Sequence, residues 1–243
     1  MNTWTIFKRE LSSYFSHPIA YAIIVVFLLI AMVFTFTLGA FLEAQDASLT
    51  YSFFTYLPFV LMVLVPALGM RLISEELRTG TIELLGTMPI STWSVILGKF
   101  LAAAAVWLVA LLLTFPIWIT VNWLGHPDNL TIFCGYLGSF LLACSFLAIT
   151  LFVSAFTRDQ VICLIIACTI CIGLVMGSFD PFVRVYAKTF PQLVNNAITA
   201  LGVWDHFTSL ARGAFRLTDL VWFGSVIVAC LMGTSAILSA KRA

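Results

Sequence analysis

Charge is scarce in this sequence. Of 243 residues, 9% are Asp, Glu, Lys or Arg and 62% are apolar, whereas soluble globular chains carry about 25% charged residues. A soluble domain of this size could not hide so much apolar surface. A disordered, collagen-like or disulfide-stapled chain is excluded as well. The cysteines are Cys134, Cys144, Cys163, Cys168, Cys171 and Cys230, and all lie within apolar runs. Cys168 and Cys171 form a C-x-x-C, but a redox or metal site needs electropositive or polar surroundings. This segment has none, so the pair reads as small apolar residues of a membrane helix. A net charge of +1 gives no global sign of a nucleic-acid partner.

Catalytic signatures are missing too. Gly98-Lys99 is followed by Phe100, and position 93 is Trp, so the phosphate cradle of a P-loop is lacking. No H-E-x-x-H occurs, and His17, His126 and His206 are far apart in the expected topology. No metal site is expected. The long apolar runs contain no Asp, Glu, Lys or Arg. A charge at mid-bilayer costs about 2.5–3.5 kcal/mol on insertion scales and marks proton relays or ion paths. Its absence weakens the case for a proton-coupled pump or an ion channel.

What is present is apolar length. The unbroken runs are not the alternating strands of a membrane barrel, so the fold class is an all-α integral membrane protein. Spanning takes about 20 apolar residues, and six runs qualify, at about 19–42, 52–71, 100–122, 131–155, 161–179 and 220–240. Pro18 suits a first helical turn. Pro58, Pro66 and Pro116 should kink spans two and three. The first run is too long for a signal-peptide core and reads as a retained helix.

Lys8, Arg9, Arg71, Arg78, Lys99, Arg158, Lys241 and Arg242 fall at the ends and in alternate loops, while 43–51 and 122–130 carry only acids. Both termini should therefore face the cytoplasm. The segment 180–219 holds Arg184, Lys188, Arg212 and Arg216 but must lie outside. Its stretch 189–204 is too short and polar to cross, and its apolar spacing predicts two short helices packed at the outer face. Residues 1–18 should form an interfacial elbow helix with Trp4, Phe7, Leu11 and Tyr14 on one face. Residues 19–243 form the six-span domain.

The loop after span two is amphipathic. Ile73, Leu77, Leu84 and Met88 oppose Glu75, Glu76, Arg78 and Glu83, and Pro89 stops the expected 72–88 helix. One reading is a solvated connector. The other is a lever that takes force from a cytoplasmic motor, since its charged face can dock while its ends pull on two spans. Gly173 and Gly177 form a G-x-x-x-G on span five, which lets helices approach closely within one subunit or across a dimer.

Glu76-Leu77-Arg78-Thr79-Gly80-Thr81-Ile82-Glu83, then Met88-Pro89-Ile90-Ser91 and Gly98-Lys99, resemble the signature of ABC-2 exporter permeases, above all gliding-motility-type subunits. Phe7-Lys8-Arg9-Glu10-Leu11 and Trp204-Asp205-His206-Phe207 through Arg212-Gly213 extend the resemblance over nearly the whole chain. It implies that Glu75, Glu76, Leu77, Arg78, Thr79, Gly80 and Glu83 couple to an ABC ATPase. It further implies that Trp204, Asp205, Phe207 and Arg212 belong to a re-entrant outer gate, and that a second permease completes a dimer, for which the spacing of Gly173 and Gly177 offers a candidate interface. ATP and magnesium would reside on the ATPase and no cofactor on this chain. An extracytoplasmic accessory protein is a further expected partner, and a bacterial inner membrane the expected location. The alternative is a scaffold or secondary transporter with no nucleotide-binding partner. A membrane-embedded enzyme lacks convergent polar residues in the spans.

Overall fold

The computed structural model describes residues 3–16, 18–39, 49–81, 91–125, 127–186, 188 and 191–240. Every regular element among them is helical. Six helical segments are long and apolar enough to cross a membrane: Pro18–Leu38, Leu57–Thr79, Thr92–Trp123, Asn129–Ser154, Gln160–Gly177 and Leu217–Ala240. Helices satisfy their own backbone groups, which lipid requires.

Helix α1 (Thr3–Ser16) precedes the spans. Pro18 opens α2 (Pro18–Val33), and a π-helical turn, Phe34–Leu38, extends it. A second such turn, Thr50–Phe54, leads to α3 (Leu57–Gly69). The backbone stays helical through Met70 into α4 (Arg71–Thr79). The third span is broken into α5 (Thr92–Leu112) and α6 (Phe115–Leu124), with Pro116 in the first turn of α6. Then come α7 (Asn129–Ser154) and α8 (Gln160–Gly177). Short helices α9 (Asp180–Tyr186), α10 (Gln192–Leu201) and α11 (Val203–Ala211) precede α12 (Leu217–Ala240).

Three expectations change. Pro58 opens α3 instead of kinking it, while Pro66 does lie inside. The expected 72–88 helix breaks after Thr79, because Gly80 takes φ +73°, the left-handed conformation that closes helices, and Thr81 is helical again. Residues 82–90, Glu83 and Pro89 among them, lie outside the described residues. Among the described residues between the last two spans there are three short helices, not two, because α9 continues almost directly from α8.

Helix α7 is the pillar. Of its apolar window 78% is buried, against 28% for the first and fifth spans and 22% for the sixth. It packs against α3, α4, α5, α8, α11 and α12. Missing side chains allow this: a Cβ on Gly135 would meet the Phe54 ring at 2.5 Å, and one on Gly138 would meet Leu210 at 3.0 Å. Buried hydroxyls on α7 bond back one turn, Ser139 to the Gly135 carbonyl and Thr150 to the Phe146 carbonyl, both at 2.7 Å, so they need no partner across the interface. Phe53 and Phe54 lie against α7. Both are buried, with ring centroids 6.0 and 5.5 Å from that of Tyr136.

Helix α1 packs along α5 and touches α2. Its most deeply buried residue is Ile6, not one of the aromatic set, and Trp4 is 71% exposed, stacked on Phe7. Ile6 fits because Gly98 is bare: a Cβ there would lie 2.7 Å from Ile6 Cγ2.

Candidate functional site

Helices α1, α4 and α5 converge at one end of the spans. Lys99 lies two turns into α5 and is 4% exposed. Its Nζ sits 2.9 Å from Glu76 Oε1 on α4 and 3.4 Å from Glu10 Oε2 on α1. Arg9 Nη2 donates to Glu10 Oε1 at 2.8 Å. A buried ammonium is tolerated only with partners, and here two elements supply one carboxylate each. Burial pushes the Glu10 carboxyl up, but Lys99 and Arg9 outweigh it and hold the group below its ordinary value.

The expected coupling residues share one tip but divide in direction. Leu77 is buried beneath it together with Leu72 and Ile73, and Glu76 turns inward to Lys99. Glu75, Arg78, Thr79 and Gly80 face outward. The Thr79 hydroxyl donates to the Glu75 carbonyl at 2.9 Å and lies 3.0 Å from the Thr81 hydroxyl, which ties off the end of α4. Sequence reasoning missed Lys99 and Glu10. Lys99 served there as a marker of sidedness, and both residues belonged to the stretches that carry the family resemblance, but neither was given a partner or a role. The one available signal was a lone acid among the bases of the first helix.

Charge is also less absent from the helices than the apolar runs imply. Span three was expected to begin at 100 and span six at 220, each just past a charge. The helices run back to Thr92 and Leu217 and bury Lys99 and Asp219 within them. Both residues lie near helix ends.

At the opposite end of the spans, α11 seats on α7. Trp204 is buried, and its backbone N–H donates to Ser178 Oγ at 3.0 Å. Its ring stands 4.8 Å from Phe179 and 5.5 Å from Phe59, closing an aromatic plug over the end of α3. Phe207 is fully buried behind it. Trp204, Phe207 and Arg212 line a cavity of about 310 Å3 that also takes in Tyr51, Thr55 and Asp180. Asp205 faces outward, away from that lining. Burial and the neighbouring Asp180 push its carboxyl up, with His206 opposing. His206 Nδ1 lies 2.7 Å from Asp219 Oδ1, and its ring stacks on Trp222 at 4.9 Å. This contact joins α11 to α12.

The two glycines of α8 have different neighbours. A Cβ on Gly177 would touch Ile198 of α10 at 3.5 Å, whereas one on Gly173 would meet nothing within 4 Å.

The family model described as ABC-2 family transporter protein matches residues 4–219. The chain belongs to the ABC-2 transporter family. The matched stretch holds both arrangements, from α1 and the Lys99 contacts to the outer helices and Asp219. No curated protein matches the chain. ABC-2 membership, with six apolar helices, makes this a multi-pass membrane protein of a transport system rather than an enzyme, consistent with an ABC permease subunit.

Proposed function

We propose that the chain is the membrane-spanning permease subunit of an ATP-driven exporter, of the gliding-motility type within the ABC-2 family, in a bacterial inner membrane with both termini cytoplasmic. ATP and magnesium are bound by a separate ABC ATPase. The outward-facing tip of α4, comprising Glu75, Arg78, Thr79 and Gly80 with Glu83 beyond it, receives the ATPase. Glu76 and Leu77 pass its movement inward. A second permease, identical or related, packs against α8 on the Gly173 side. Trp204, Asp205, Phe207 and Arg212 form the outer gate, and an extracytoplasmic accessory protein meets the chain there.

The observation that carries this reading is the position of Lys99. One ammonium holds α4 and α1 to α5, so a push on the α4 tip reaches the first and third spans together with the second. A connector that merely joined two spans would need no such buried cross-link. The buried ionisable pairs at Lys99 and Asp219 close the two ends of the molecule. A proton-driven carrier would need them strung along the middle.

Co-purification tests this. Arg78→Ala should lose the partner ATPase while the permease still inserts at wild-type level. Unchanged ATPase capture and unchanged ATP turnover would refute the coupling role.

A further inference from the structure

Beside the Lys99 contacts lies a cleft of about 260 Å3, bounded by α1, the first turn of α2, and the junction of α3 with α4. Its floor is apolar, with Ile19 and Leu68, and its upper wall carries Ser13, Tyr14, Arg71 and Glu75. Glu10 and Glu76 also reach it but are taken by Lys99. Arg71 is different. It is partly buried, its Nε is fully buried without a hydrogen-bond partner, and it forms no ion pair among the described residues. Nor does the Glu75 carboxylate, which is exposed at the rim.

A buried guanidinium N–H without a hydrogen-bond partner is costly, and the guanidinium fork matches phosphate oxygens. The cleft sits where spans two and three end and the amphipathic α1 begins, which is the depth of lipid headgroups. Apolar residues below and charges above repeat the order of a glycerophospholipid from acyl chain to headgroup. The wall also offers one positive and one negative charge, Arg71 and Glu75, that form no ion pair with each other, so a zwitterion fits better than a simple anion.

We propose that this cleft binds the headgroup of an amine-bearing zwitterionic phospholipid, with its phosphate on Arg71 and its ammonium on Glu75. Ser13 and Tyr14 supply hydroxyls to the phosphate. Burial raises the Tyr14 phenol, which keeps it a donor. The lipid thereby spans α1 and α4, the two elements that Lys99 holds from the other side. This does not depend on the coupling reading.

The test uses the full chain purified with equal amounts of phosphatidylethanolamine, phosphatidylglycerol and phosphatidylcholine, with retained lipid read by native mass spectrometry. Phosphatidylethanolamine should be retained over both others. Arg71→Gln should lower its retention about tenfold or more, the loss of one charge-assisted contact. Glu75→Gln should erase the preference over phosphatidylcholine, whose quaternary ammonium has no N–H to donate. The wild type should also melt higher when phosphatidylethanolamine is added, a reading that stands even if a variant fails to fold. Equal retention of all three lipids, or retention unchanged in Arg71→Gln, overturns the proposal. A preference for phosphatidylglycerol overturns the zwitterion. Displacement of the lipid by millimolar inorganic phosphate would make this a free-phosphate site and overturn the lipid. Absence of any lipid effect, with Arg71→Gln instead losing the ATPase, would assign Arg71 to the protein partner and overturn it equally.

Discussion

Lys99 carries an unusual load for a single side chain. Replacing it with Met leaves Glu76 without a cation and Glu10 with only the exposed Arg9. Removing one partner of a fully buried pair costs about 3–5 kcal/mol. Here both carboxylates keep some contact with water, so the expected loss is about 1–3 kcal/mol. The triple change Glu10→Gln, Glu76→Gln and Lys99→Met should recover most of that stability in thermal unfolding, yet leave the permease unresponsive to its ATPase. Recovery of both together would mean that the contacts only hold the fold. The same site responds to acid. Because Glu10 titrates below its ordinary value, its contribution is complete above the usual carboxylate range and is lost as pH falls through the lower, folded-state value. The melting-point advantage of wild type over Glu10→Gln should therefore persist at neutral pH, start to shrink near the ordinary carboxylate value of about 4.3 and vanish only below the lower folded-state value. Neither partner of Lys99 was legible in the sequence. Glu10 lies 89 positions away, and no local pattern reports a contact that only the packing of α1 on α5 creates.

Among the elements, α1 depends on a bare spot in its neighbour. Gly98→Ala places a methyl 2.7 Å from Ile6 Cγ2 and 3.3 Å from the Phe7 backbone nitrogen. A stiff β-branched side chain and a backbone atom cannot both yield, so α1 must lift, at about 1–3 kcal/mol. The expected readouts are a lower melting point and earlier proteolysis within 3–16. Adding Ile6→Ala should restore much of the loss. If Gly98→Ala alone leaves both readouts unchanged, α1 is not seated as described. Element type was easy to read here and element ends were not. The six spans show as apolar length, and the break at Pro116 follows from its missing N–H. The stop at Gly80 was visible as Thr79-Gly80, but the amphipathic pattern running on to Met88 argued for a longer helix, and a left-handed glycine ends a helix whatever pattern follows. Phe53 and Phe54 could not be placed from sequence, because Phe54 packs on Gly135 and both rings meet Tyr136, on a helix formed much later in the chain.

For the whole molecule, the spans differ sharply in what they have left to offer. Helix α8 keeps Val161, Ile162 and Ile165 exposed, and its Gly173 faces open space. Gly173→Leu should therefore leave the folding of one subunit intact, with expression and melting point near wild type. If the permease dimer uses this face, the same change should abolish inter-subunit crosslinking between cysteines placed nearby. Gly177→Leu makes the opposite case. Its side chain would press on Ile198 and the Gly202 backbone, so expression should fall. If Gly173→Leu keeps full crosslinking, the dimer forms on another span. The G-x-x-x-G spacing indicated close helix approach without saying to whom. The presence of α10 beside Gly177 separates the two positions, and only the path of the chain through the outer helices could show that.

The central place of α7 also bears on how the protein is made. Spans enter the bilayer in chain order, so α3 and α5 leave the insertion machinery before α7, the helix against which both pack. Until residue 154 has been synthesised, Phe54 and Leu147's future neighbours have no partner but lipid. The early spans must wait as a loosely held group, and the outer helices cannot seat until Gly138 is in place to receive Leu210. Defects in α7 should thus surface during biogenesis, as chains cleared by membrane proteases, before any transport step is reached.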